Sequence, residues 1–355
     1  MRRKIPLPLA SLVFASATFI AAGSAPAEDL VIMISGGTFA DSQIEAFVKP
    51  FEAETGLKVT AIKSEVPAAK HKLAVESSTV DFDLALKTEA DGIMLDKLGY
   101  LIPIDYSAFD PEELSGIPEG LRPAWGVGDV TASFVLSYDS TAEKKPRNYA
   151  DFWNVAEFPG KRTLQSFIGT QGPLEEALLA DGVPMDQLYP LDVDRAFAKL
   201  DEIKPEIRKW WGNGNEVLQL FNTNVANMGM NFDGRVHALQ SEGRTTDLTF
   251  NQAKYYGVYW TVPKGAPRPE NAMKFLAFAT KAAQQAKMAE ISGFAPTNTK
   301  AVALLPDETA RKLVTHPDNI KNAYQLNGQW YAEVGEDGLS NAERVQQRWN
   351  VWITQ

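Results

Sequence analysis

The run Leu30-Val31-Ile32-Met33-Ile34 contains no polar residue and breaks at Ser35-Gly36-Gly37. The apolar positions Ile44, Phe47, Val48 and Phe51 then follow at i, i+3, i+4 and i+7. An unbroken apolar run ending in glycines reads as a buried strand, and the spacing after it reads as one face of a helix. Asp41 or Ser42 is expected to cap that helix and Gly56 to end it, while Pro50 predicts a kink or break inside it. The alternation continues with a strand over 57–62, a helix over 68–76 and a strand over 82–86. Strands alternating with helices imply a mainly parallel sheet covered on both faces, an α/β fold.

At 355 residues the chain exceeds the size at which one core usually stops growing, so two lobes are expected. The runs "VTASFVLSYD" (130–139) and "YYGVYWTVPKG" (255–265) are strand-like and are read as crossings between them. The first lobe is expected over 28–133 plus 259–302, and the second over 134–258 plus 303–355. Each is a mixed, mainly parallel sheet flanked by helices. Within the second, "VANMGMNFDGRVHALQSEG" repeats the strand, turn and helix of the opening stretch. A helix is expected from Glu270 to Glu290. A last helix, with Val345, Trp349, Trp352 and Ile353 on one face, is expected to dock on a lobe. Two crossings suit a hinge that closes the lobes on something held between them.

Arg2-Arg3-Lys4, an apolar stretch to Gly23 and Ala25-Pro26-Ala27 read as an export signal over 1–27, cut after Ala27. General secretion is favoured over twin-arginine export. The chain has no cysteine, which excludes disulfides, thiolate metal sites and a lipid-modified N-terminal cysteine. A free periplasmic monomer is the expectation. Loss of the three basic residues moves the formal charge from −10 to −13. An acidic surface argues against nucleic acid.

Chemistry is sparse. "ISGGTFADSQ" (34–43) lacks the G-x-G-x-x-G of a dinucleotide turn, so its free N–H groups are read as the lip of a cleft. His71, His237 and His316 have no metal-ligand spacing, and His71 and His316 are expected on the solvated surface. No G-x-S-x-G elbow is present. No cofactor or metal is expected. Trp210-Trp211, Phe232, Tyr255-Tyr256, Tyr259, Trp260 and Phe294 fall at predicted strand ends, where a ring can face a ligand or belong to the core. Phe232-Asp233-Gly234-Arg235 brings a ring, a carboxylate and a guanidinium to one strand-to-helix junction. A secreted carbohydrate- or ester-active hydrolase using paired carboxylates stands as the alternative.

"PFEAETGLKV" (50–59), "YADFWNVAEFPGKR" (149–162), "NEVLQLFNTNVANMGMNFDGR" (215–235), "VPKGAPRPENAMKFLAFAT" (262–280) and "GFAPTN" (293–298) together resemble the extracellular solute-binding proteins of ABC importers. Within that group the spermidine/putrescine-binding branch is the most similar. The resemblance implies a two-lobed periplasmic binding protein fold of type II and no enzymatic activity. It also implies delivery of a small solute to permease subunits served by an ATPase. The ligand set it implies is Ser35, Gly36, Gly37, Thr38, Phe39, Lys87, Thr88, Thr170, Gln171, Trp211, Phe232, Asp233, Arg235, Tyr256 and Phe294. Ring positions of the branch are kept as Phe232, Tyr256 and Phe294, whereas Gly169, Gly172 and Val258 stand where acids are expected. Asp233 is then the pocket carboxylate, with Arg235 and Lys87 near it. That balance suits a ligand bearing both charges, of amino-acid or opine type, or an anion, better than a tri- or tetra-amine, while a polyamine stays the ligand that the resemblance itself implies.

Overall fold

A computed structural model describes residues 29–355; the expected export signal lies outside them. Its strands are β1 (Leu30–Ile34), β2 (Val59–Lys63), β3 (Leu84–Thr88), β4 (Leu101–Ile102), β5 (Val127–Asp139), β6 (Arg162–Gln165), β7 (Ile207–Trp211), β8 (Met228–Phe232), β9 (Thr246–Pro263), β10 (Ala295–Pro296) and β11 (Ala323–Gln325). The main order is β2-β1-β3-β9-β5-β8-β6-β7. At one end β2, β1 and β3 are parallel, and at the other β8, β6 and β7 are parallel. Between them β9 and β5 run antiparallel to each other and to β3 and β8. The α/β fold with two lobes is therefore built on two parallel groups joined by long antiparallel strands.

Every residue of β1 is buried, as an apolar run in a parallel sheet covered on both faces requires. The segment after it starts as a helix at Gly37, earlier than the expected caps, with extended Gly36 before it. Asp41 and Ser42 lie inside the helix, where Ser42 Oγ donates back to the Thr38 carbonyl. Pro50 does interrupt regularity: a π-helical turn over Ile44–Val48 separates the helices Gly37–Gln43 and Lys49–Thr55. A residue without an N–H is accommodated by such a widened turn. Gly56 ends the segment with φ 75°.

The single helix expected over 270–290 is two, Pro269–Ala279 and Ala282–Ser292, because Lys281 is extended between them. The last helix, Asn341–Trp352, begins with a capping box formed by Ser340 and Glu343. Its Trp349 and Trp352 pack on Phe197 and Trp210, which seats it on the lobe of β6 and β7.

His71 is a correction. It is fully buried, its Nε2 is 3.2 Å from the Tyr100 carbonyl oxygen, and its ring meets Phe82 edge-on. Burial, then the nearby charge of Lys87, lowers its pKa to about 4. Flanking lysines suggested a solvated face, but the helix Ala68–Glu76 turns this one position inward.

Candidate functional site

A cleft of about 790 Å³ lies between the lobes, within the range of small-molecule sites. It is built at strand ends, where an α/β sheet presents loops and helix N-termini to a crevice. From the first lobe come Ser35 and Gly36 after β1, Glu65 after β2, Lys87 and Thr88 at the end of β3, and Asp91 in the next helix. From the second come the turn Ile168–Gln171, the stretch Asn213–Asn215 after β7, and Phe232 and Arg235 around the end of β8. Val130, Ala132, Tyr256 and Val258 reach it from β5 and β9.

Ser35, Gly36, Phe39, Lys87, Thr88, Thr170, Gln171, Phe232, Arg235, Tyr256 and Phe294 are thus brought together as cleft residues. Gly37, Thr38, Trp211 and Asp233 are not. Trp211 is fully buried, donates its Nε1–H to the Met230 carbonyl and packs behind Phe232 at 5.7 Å. Asp233 is also fully buried. It accepts from Ser133 Oγ at 2.6 Å and from the Gly234 N–H at 2.9 Å, which ties its helix to β5. Burial pushes its pKa up to about 6, against the pull of the Ser133 bond. Asp233 does stand at a strand-to-helix junction beside the cleft, but its side chain points inward.

The carboxylates that do line the cleft are Glu65 and Asp91. Asp91 follows β3 by a single turn and its N–H bonds to Thr88 Oγ1, so the strand-end rule applied to Lys87 would also have reached it. Glu65 carries no comparable signal. Lys87 is buried and its Nζ donates to the Val66 carbonyl oxygen. Desolvation lowers its pKa to about 8, although Asp91 and Glu65 oppose that shift. Burial raises the pKa of Asp91, and Lys87 partly offsets it. These groups therefore balance one another on one wall.

The other wall differs. Arg235 is half-buried, and its guanidinium bonds Thr38 Oγ1. Among the described residues no carboxylate lies within ion-pair distance of it. Desolvation alone lowers its pKa. Around it stands an aromatic frame: Phe232 packs 4.5 Å from Phe134 and 6.3 Å from Phe294, and Phe294 meets Phe39 edge-on at 5.3 Å. Thr170 Oγ1 in the same cleft is buried and has no hydrogen-bond partner.

A family model described as bacterial extracellular solute-binding protein matches residues 46–317. The chain belongs to that family. This solute-binding protein is 34% identical over 341 residues to the gamma-aminobutyric acid-binding protein of Pseudomonas aeruginosa, a match covering 94% of this chain and 93% of the relative. It is similar to the Atu4243-GABA receptor, with 32% identity, a TM-score of 0.83 and coverage of 92% and 97% of the two chains. It is similar too to AgtB from A. tumefaciens R10, solved with agropinic acid, with 32% identity, a TM-score of 0.81 and coverage of 93% and 99%.

The expected α/β periplasmic binding protein fold and solute-binding role are borne out. The protein is the substrate-binding component of an ABC transporter, taking small organic solutes, and is not an enzyme. The match to the spermidine/putrescine branch holds only at the level of the wider family, because the ligands named for these relatives are γ-aminobutyrate and an opine.

Proposed function

We propose that the cleft binds a small zwitterion of ω-amino-acid or opine type, with its carboxylate on Arg235 and its ammonium toward Asp91 and Glu65. The observation that carries this reading is the charge layout: a guanidinium without an acid partner on one lobe, and carboxylates already shared with Lys87 on the other. A planar fork of N–H donors suits a carboxylate. A polyamine would bring ammonium groups only and leave Arg235 unpaired, which is costly at a half-buried site. The aromatic frame gives the ligand's carbon chain apolar walls. Thr170 Oγ1 offers a hydrogen bond that the protein itself does not use. Volume favours the opine end of the class, since about 790 Å³ exceeds what a short amino acid fills.

In the cell, the protein is proposed to be a periplasmic monomer, exported by residues 1–27 and cut after Ala27. It would hand its ligand to permease subunits driven by an ATPase, with no cofactor. The lobes are taken as 28–133 plus 259–302 and 134–258 plus 303–355, in keeping with the passage of β5 and β9 between the parallel groups.

The test is calorimetric titration of residues 28–355 with γ-aminobutyrate, agropinic acid, putrescine and spermidine, in wild type and Arg235→Ala. A carboxylate-bearing ligand should bind, and Arg235→Ala should lose about 2–5 kcal/mol of that binding through an unpaired carboxylate. Tight binding of putrescine or spermidine without the zwitterions, or full affinity in Arg235→Ala, would overturn the reading.

A further inference from the structure

Arg235 stands in the wall between the ligand cleft and a smaller cavity of about 350 Å³ behind it. Thr38 lines only the smaller one. Its hydroxyl lies in the first turn of the helix Gly37–Gln43 on one lobe. There it accepts a hydrogen bond from Arg235 Nη1, in the first turn of Asp233–Ser241 on the other lobe. The same seam is drawn tight by Gly37, whose φ is +71° and where an added Cβ would lie 2.8 Å from the Asn215 amide. A guanidinium has five donors in a rigid plane, so fixing one end fixes where the others point. Were the lobes to part, these two helices would separate and the bond between them would break.

We propose that Thr38 is a positioning residue. It does not touch the ligand, and it holds the Arg235 guanidinium across the seam so that the remaining N–H groups face the ligand's carboxylate only when the lobes are shut. Capture and closure are then one event, because the carboxylate orients Arg235 for Thr38 and Thr38 orients it for the carboxylate. This rests on the zwitterion reading for its ligand. Valine at position 38 keeps the branched shape and loses the acceptor, whereas serine keeps the acceptor. Thr38 is exposed, so neither change disturbs the core.

The chain has no cysteine, so Lys97→Cys on one lobe and Asp186→Cys on the other, both exposed, report lobe separation through attached spin labels. Distances are measured with γ-aminobutyrate, agropinic acid and putrescine, alongside thermal melts without ligand. With γ-aminobutyrate the parent should shift to a short distance. Thr38→Val should need about tenfold more of it, the effect of one charge-assisted hydrogen bond, and should keep a larger open population at equal occupancy. Thr38→Ser should restore both, and all should melt alike. A Thr38→Val protein that binds and closes like the parent overturns the proposal. If agropinic acid closes the parent and γ-aminobutyrate does not, the opine end of the substrate reading stands; if only putrescine closes it, the substrate reading fails. The same comparison with that probe then decides the role of Thr38. If no probe shortens the distance, both readings fall.

Discussion

Asp91 is a carboxylate whose burial favours its neutral form, while Lys87 beside it favours the charged one. Only the charged form attracts a ligand ammonium, so affinity for a zwitterion is expected to fall on acidification through the raised pKa of Asp91. It should rise again above about 8, where Lys87 loses its proton and stops competing for the acids. Titrations with γ-aminobutyrate between pH 5 and pH 9 check this, and a flat profile would remove Asp91 from the ligand's surroundings. His71 acts on stability instead. Its folded pKa of about 4 lies below the ordinary 6.5, so between those values the unfolded chain binds a proton that the folded chain does not. Stability is therefore held above 6.5 and lost as pH falls toward 4, by about 2 kcal/mol between pH 7 and pH 5. Urea melts of wild type and His71→Gln at both values should differ by that slope. Residues at strand ends were legible because an α/β sheet presents its loops there. The direction of a side chain was not: Trp211 and Asp233 sit at strand ends beside the cleft and face inward, since facing depends on which strands become neighbours.

Lys254 on β9 illustrates what an element needs besides apolar pattern. Its Nζ is 2.6 Å from the Gly172 carbonyl oxygen and 3.0 Å from both Glu175 Oε2 and Glu176 Oε2, all three side chains fully buried. Tyr189 and Tyr331 donate to Glu175, and Tyr324 donates to Glu176. This ties β9 to the helix Leu174–Ala180 and to the end of the turn that carries Thr170 and Gln171 into the cleft. Removing the cation strands two buried carboxylates, so Lys254→Met is expected to cost about 3–5 kcal/mol. That corresponds to a melting temperature lower by on the order of 10 °C. Adding Glu175→Gln and Glu176→Gln to it should recover part of the loss; scanning calorimetry of the three-site variant separates stranded charge from lost packing. No sequence period announces such a cluster, because its members lie 78 and 79 residues apart along the chain. The strands themselves were legible from apolar runs. The gap at Lys281 was not, since apolar spacing runs through it and only the backbone departs.

At the scale of the whole molecule, β5 and β9 pair with each other between the two parallel groups, so a closure of the proposed lobes would turn about strands that stay paired. Beside them the two lobes meet backbone to backbone. The helix Asp233–Ser241 starts against the end of Ala282–Ser292. There an added Cβ on Gly234 would lie 2.7 Å from the Ser292 carbonyl oxygen, and Gly293 holds φ +74° with its own added Cβ 3.2 Å from Gly234 Cα. A methyl group at 234 is therefore expected to wedge these two segments apart and to meet less resistance wherever they separate. Gly234→Ala is expected to leave the ligand-free fold intact, weaken ligand binding and reduce the compaction that ligand drives. Small-angle scattering with and without γ-aminobutyrate reads the compaction, and a ligand-free thermal melt reads the fold. Equal compaction in wild type and variant would mean that the contact adjusts and does not limit closure. A lowered melt without ligand would mean that Gly234 supports the lobe itself. Compaction lost at an unchanged melt identifies it as a stop on the hinge, a property that belongs to neither lobe alone.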